Sequence, residues 1–182
     1  MMKIAPLALG ALMVSGSAAA SVITVGGGYA GACYQAADAQ DATADSLDAC
    51  DRALAEEALL AGDRVATHVN RGILRLRRGA LALADGDFDR ALALDPTEAE
   101  AWLNKAILTA RYRDSRDALP FVAKALENGT RRPAVAYFVR AMANEDSGNI
   151  AAAYRDLQKA RSLAPKWREP VAELARFQVR QH

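Results

Sequence analysis

Little in this sequence suits a catalyst. It holds two histidines and two cysteines in 182 residues, and neither His68 nor His182 is a sequence neighbour of Cys33 or Cys50. No HExxH, no GxSxG and no Cys/His nucleophile pair can be read from it. Aromatic residues make up only 6%, and no stretch alternates β-branched or aromatic residues with polar ones, which argues against a sheet. The apolar run Ile4 to Val14 is too short to span a bilayer as a permanent helix, and a membrane anchor is the rival reading of that segment. The glycines Gly26-Gly27-Gly28 are not followed by Lys-Ser/Thr, so they make no phosphate loop. These absences leave no metal site, no cofactor and no catalytic group to name, and the chain reads as a non-enzyme.

What is present favours helices. The chain is 52% hydrophobic and 25% charged, rich in Ala, Leu, Arg and Glu, which are strong helix formers. Its first twenty residues stand apart. Lys3 gives a positive start, Ile4 to Val14 form an apolar run, and Ser15 to Ala20 are small and neutral. That is the tripartite pattern of a secretory signal peptide, with Ala18-Ala19-Ala20 as the small-x-small cleavage site. A periplasmic or secreted location is expected, with no membrane insertion after cleavage. Only one of the 23 lysines and arginines, Lys3, lies in that leader, so the remainder balances the 22 acidic residues. A neutral chain has no global field to attract nucleic acid or anionic lipid.

Both cysteines lie in the exported part. In an oxidising compartment an even number of thiols points to a disulfide, here Cys33–Cys50. A metal or redox site is the other reading, but the two lack CxxC spacing. The loop is short, so the cross-link is worth about 3 kcal/mol.

The body of the chain repeats itself. Gly72, Ala106 and Ala141 are small residues in one column, and Ala84, Ala118 and Ala153 form a second. Ala91, Ala125 and Ala160 form a third; Phe88, Val122 and Leu157 a fourth; Pro96, Thr130 and Pro165 a fifth. Each unit splits into two helical patterns: Ala66 to Arg77 and Ala80 to Leu94; Ala99 to Arg111 and a helix opened by Ser115; Ala134 to Glu145 and a helix ending at Leu163. Small residues let two helices approach closely, so Gly72 is expected to face Ala84 and Ala91 with Phe88 beside them. One such pair cannot bury its apolar face alone, and pairs therefore stack.

Asn70-Arg71-Gly72, Ala84 with Phe88, Ala91 to Pro96, and Trp102, echoed by Gly148, Ala153, Ala160 and Ala164-Pro165, resemble the tetratricopeptide repeat family over residues 65–165. Thr130 in the proline column, Pro120 within a second helix and Gly86 in an exposed mid-helix place depart from the pattern. The resemblance implies an all-α, right-handed α-α superhelix with a degenerate N-terminal helix pair and a C-terminal capping helix. The expected divisions are a signal peptide over 1–20, and a leader and disulfide-bonded pair over 21–62. Three repeats follow over 63–165 (65–98, 99–133 and 134–165), then a capping helix over 166–182. Ser21 to Ala30 reads as a flexible leader, Gly31 to Gln40 and Ser46 to Leu60 as the leading pair, and Trp167 to Arg180 as the cap.

In that family ligands lie on the concave face lined by the first helix of each pair. The resemblance thereby implies an apolar strip of Val69 and Ile73, Leu103 and Ile107, Phe138 and Met142, with Asn70 and Asn104 as backbone contacts. The competing reading is that these apolar residues pack between neighbouring units. Arg71, Lys105 and Arg140 form a basic column. Pairing within each unit (Arg71 with Asp87, Arg140 with Asp156) would leave Lys105 opposite Phe121 without an acid. His68 reads as a bulky packing residue, and Glu56-Glu57 and Glu98 with Glu100 as parts of a solvated face. The expected role is an adaptor that holds a peptide or helical segment of a partner protein. Self-association as a structural protein of the cell envelope is the alternative.

Overall fold

A computed structural model describes residues 28–177. The expected signal sequence, residues 21–27 of the leader and residues 178–182 lie outside the described residues. Those described are all-helical: α1 (Tyr29–Asp38), α2 (Ala44–Glu56), α3 (Ala61–Arg77), α4 (Leu81–Leu94), α5 (Ala99–Tyr112), α6 (Leu119–Glu127), α7 (Pro133–Asp146), α8 (Ile150–Leu163) and α9 (Arg168–Arg176). A 3-10 turn, Ser115–Ala118, leads into α6.

The helix ends follow from local chemistry. Gly79, Gly129 and Gly148 each adopt a positive φ, between 75 and 78°. At each the chain closes with two reversed hydrogen bonds, for example Gly79 N to Leu76 O and Ala80 N to Arg75 O. This cap needs a left-handed residue, which costs glycine nothing. Gln40 makes the same cap at φ 57° without being glycine. The first turn of α1 is capped from far along the chain: the Glu57 carboxylate accepts from Tyr29 N at 2.6 Å and Ala30 N at 3.1 Å. Asp114 rather than Ser115 caps the 3-10 turn, its side chain accepting from Arg116 N. Pro120 then falls in the first turn of α6, where a missing N–H costs nothing, so it opens that helix instead of interrupting it.

Helices pair as α1 with α2, α3 with α4, α5 with α6 and α7 with α8, each pair packs on the next, and α9 lies on α8. The repeat columns form the interior: Ala84, Phe88, Ala91, Ala106, Ala118, Val122, Ala125, Ala141, Ala153, Leu157 and Ala160 are all fully buried. Gly72 meets the Phe88 ring directly, and a Cβ there would stand 2.5 Å from a ring carbon. Ala106 and Ala141 occur in the units whose large residue is the smaller Val122 or Leu157. In the leading pair that place is taken by the Cys33–Cys50 disulfide, with Cα atoms 4.8 Å apart, a bond that fits an oxidising compartment.

Several boundaries differ from the sequence reading. Helix α3 begins at Ala61, five residues before Ala66, and α2 ends at Glu56, short of Leu60. Tyr29 and Ala30, expected in the leader, open α1. Trp167 sits just before α9 instead of within it. Gly86 is half-buried rather than exposed. No helix among the described residues is long and apolar enough to cross a membrane.

Candidate binding groove

The expected concave strip is not open. Val69, Asn70, Ile73, Leu103, Asn104 and Phe138 are buried, and Ile107 and Met142 are partly covered. The cause is the short spacing between stacked pairs. Val69 and Ile73 pack with Phe88, Ala101 and Leu108 in one cluster, and Leu103 with Val122, Val135 and Val139 in another. Phe138 packs with Leu157 and Trp167. Asn104 is used internally too: its Nδ2 donates to Glu100 O at 2.8 Å, and its Oδ1 accepts from Arg132 at 3.3 Å. Val69, Ile73 and Leu103 thus pack against the neighbouring unit.

The interior also holds charges. Asp87 is fully buried and accepts from Arg71 at 2.6 Å and Arg75 at 2.7 Å, with His68 Nδ1 3.4 Å away. Burial alone would push its carboxyl up, but hydrogen bonds from His68 and Arg71 and the charges of Arg71 and Arg75 outweigh that and hold it below the usual range. In the third unit Arg140 pairs with Asp156 at 2.7 Å, and that hydrogen bond raises the guanidinium pKa. The second unit departs from its neighbours. Lys105 is not left without an acid, because its Nζ lies 2.6 Å from both Asp85 and Asp89 on the preceding helix α4. It also stands 5.5 Å from the Phe121 ring.

Glu100, expected on a solvated face, is buried at 1% exposure. It accepts from Thr130 Oγ1 at 2.7 Å, Arg131 N at 2.8 Å and Arg132 Nε at 2.9 Å. One acid thus fixes the whole turn between α6 and α7. The signal in the sequence is Thr130 in the proline column: it supplies a hydroxyl that proline lacks, thirty residues beyond Glu100.

That fixed turn is one wall of a cleft of about 910 Å³. Arg131 to Val135 form one side and Leu163 to Glu169, the connection from α8 to α9, form the other. Pro133, Val135, Leu163 and Trp167 supply apolar lining, and Arg131, Lys166, Arg168 and Glu169 line it along with Arg132, whose guanidinium is already paired with Glu100. Trp167 is held by Phe138, ring centroids 4.9 Å apart, and its buried indole N–H has no acceptor among the described residues. An apolar floor gives area and a cationic rim gives orientation, which is the chemistry an extended anionic segment would require. None of the expected contact residues lines it, and sequence reasoning missed Lys166 and Arg168 as site residues because they lie where the last repeat passes into the cap.

Among the described residues no group of three or more His, Cys, Asp or Glu side chains is placed to hold a metal ion. No family model matches the chain, and no curated protein matches it.

Proposed function

We propose that this chain is an exported, tetratricopeptide-like adaptor that binds an acidic segment of a partner protein in the groove between the α6–α7 turn and the α8–α9 connection. The observation that carries this reading is the groove itself: exposed Lys166 and Arg168 beside an apolar floor, with the facing wall fixed by buried Glu100 paired with Arg132. The disulfide supports export. The repeated helix-pair unit is supported by the recurrence of contacts between units. Arg71–Asp87 and Arg140–Asp156 are both sixteen residues apart, and Arg75–Asp87 and Asn144–Asp156 are both twelve apart.

The test is affinity capture from the envelope fraction with wild-type chain and a Lys166→Glu/Arg168→Glu variant. A partner retained by the wild type and lost by the variant supports the groove. Equal capture by both sinks that assignment. The alternative, self-association, draws support from the distribution of charge: residues 28–60 carry seven acids and one arginine, opposite in sign to the groove.

A further inference from the structure

We propose that the occupant of the groove is the acidic leading pair of a second copy, so that copies join head to tail. The inference rests on the reading of the groove as a binding surface and names its partner.

Charge is distributed along the stack in a definite way. In the middle it is consumed internally: Asp85, Asp87, Asp89, Glu100, Lys105, Arg132, Arg140 and Asp156 all have opposite-sign partners within 4 Å. At the leading end, Asp38, Asp41, Asp45 and Asp48 are exposed on the end of α1, the connecting turn and α2. None of these four forms an ion pair among the described residues, and Asp41 accepts only from the Ser46 hydroxyl at 3.2 Å. At the other end Lys166 and Arg168 are exposed at the groove rim and form no ion pair among the described residues, and Arg155, Lys159 and Arg161 continue the basic surface along α8.

Within one copy these two ends do not meet. Helices α1 and α2 pack on each other and on α3, whereas the groove belongs to α7 and the α8–α9 connection, with the α3–α4 and α5–α6 pairs between. Unpaired acids at one end and unpaired bases at the other are complementary only between copies. The contact is heterologous: one surface of each copy meets a different surface of the next, so both faces remain available after each addition. Its rim is solvated, so its strength falls with salt.

The test uses the processed chain purified from the exported fraction, followed by sedimentation velocity over a concentration series in low and 0.5 M salt. Average mass should climb with concentration at low salt, and association should weaken on the order of tenfold or more at high salt. Two neutralised variants fix the polarity: Asp45→Asn/Asp48→Asn at the head, and Lys166→Gln/Arg168→Gln at the groove. Each alone should stay monomeric, and an equal mixture should form dimers and nothing longer, because each variant keeps one intact end. A wild type that is monomeric throughout overturns the proposal, as does a single variant that still dimerises. Trp167 emission in a Trp102→Phe chain, titrated with a Glu/Asp-rich peptide, separates the two readings. A monomer whose emission responds to the peptide overturns self-association alone; a monomer with no response overturns the groove as well.

Discussion

The leading helix pair and the first full repeat close the same kind of contact by different means. In α3–α4 the close approach is Gly72 against Phe88, reinforced by Asp87 with two arginines. In α1–α2 the equivalent place holds Cys33–Cys50, and Ala49 stands where Asp87 would be. The leading pair has neither the large ring nor the buried acid, and a covalent bond replaces both. It is still not independent, since Asp51 on α2 reaches Arg71 at 2.6 Å. The lesson is that a pair at the end of a stack, covered on one side only, needs a cross-link where an inner pair can rely on packing.

The sharpest way to break the comparison is Asp87→Ala. It leaves Arg71 and Arg75 without their buried partner and should cost about 3–5 kcal/mol in a denaturant titration. The pH dependence follows from the same residue. Its folded carboxyl is held below the ordinary range, so its stabilisation is complete above about pH 4 and is lost as pH falls through the folded value. Asp87→Asn should remove that part of the acid transition. Next, Cys33→Ser/Cys50→Ser should cost about 3 kcal/mol, with proteolysis confined first to residues 28–60; cleavage spread evenly along the chain would contradict the division of labour.

A smaller effect tests how the second unit is tied in. Lys105→Met removes the contacts to Asp85 and Asp89 and should cost about 1.5–3 kcal/mol. Arg140→Met in the third unit should cost less, because Arg140 is 33% exposed against 10% for Lys105, and urea melts of the two variants compare them directly. Smallest is Gln40→Gly, which relieves a left-handed backbone at the turn of the leading pair. It should raise stability by about 1 kcal/mol, read as a higher thermal midpoint.

Much of this was legible in the sequence because the repeat columns are made of residue size. Ala84, Phe88 and Ala91 recur with the period of one helix pair, and size is what a packed interior selects. The cysteine pairing was legible for a similar reason, since only two thiols exist. Charge was less readable. Arg71 with Asp87 follows from spacing inside one unit, but Lys105 reaches across to the preceding unit once Phe121 replaces the acid, and nothing in its own repeat says so. Glu100 looks like any helix-surface acid until Thr130 and Arg132 close around it. The groove escaped because its walls come from two connections, whose residues obey no helical period. The strip from Val69 to Met142 was read at the right helix positions, but the units pack too closely to leave it open.

The cap on α1 has a consequence in time. Among the described helices α1 is made first, yet the carboxylate that closes its first turn belongs to Glu57, twenty-eight residues after Tyr29, and its cross-link waits for Cys50. This helix therefore lacks both its cap and its cross-link until the segment behind it has arrived. Such a segment locks only once its own successor is present.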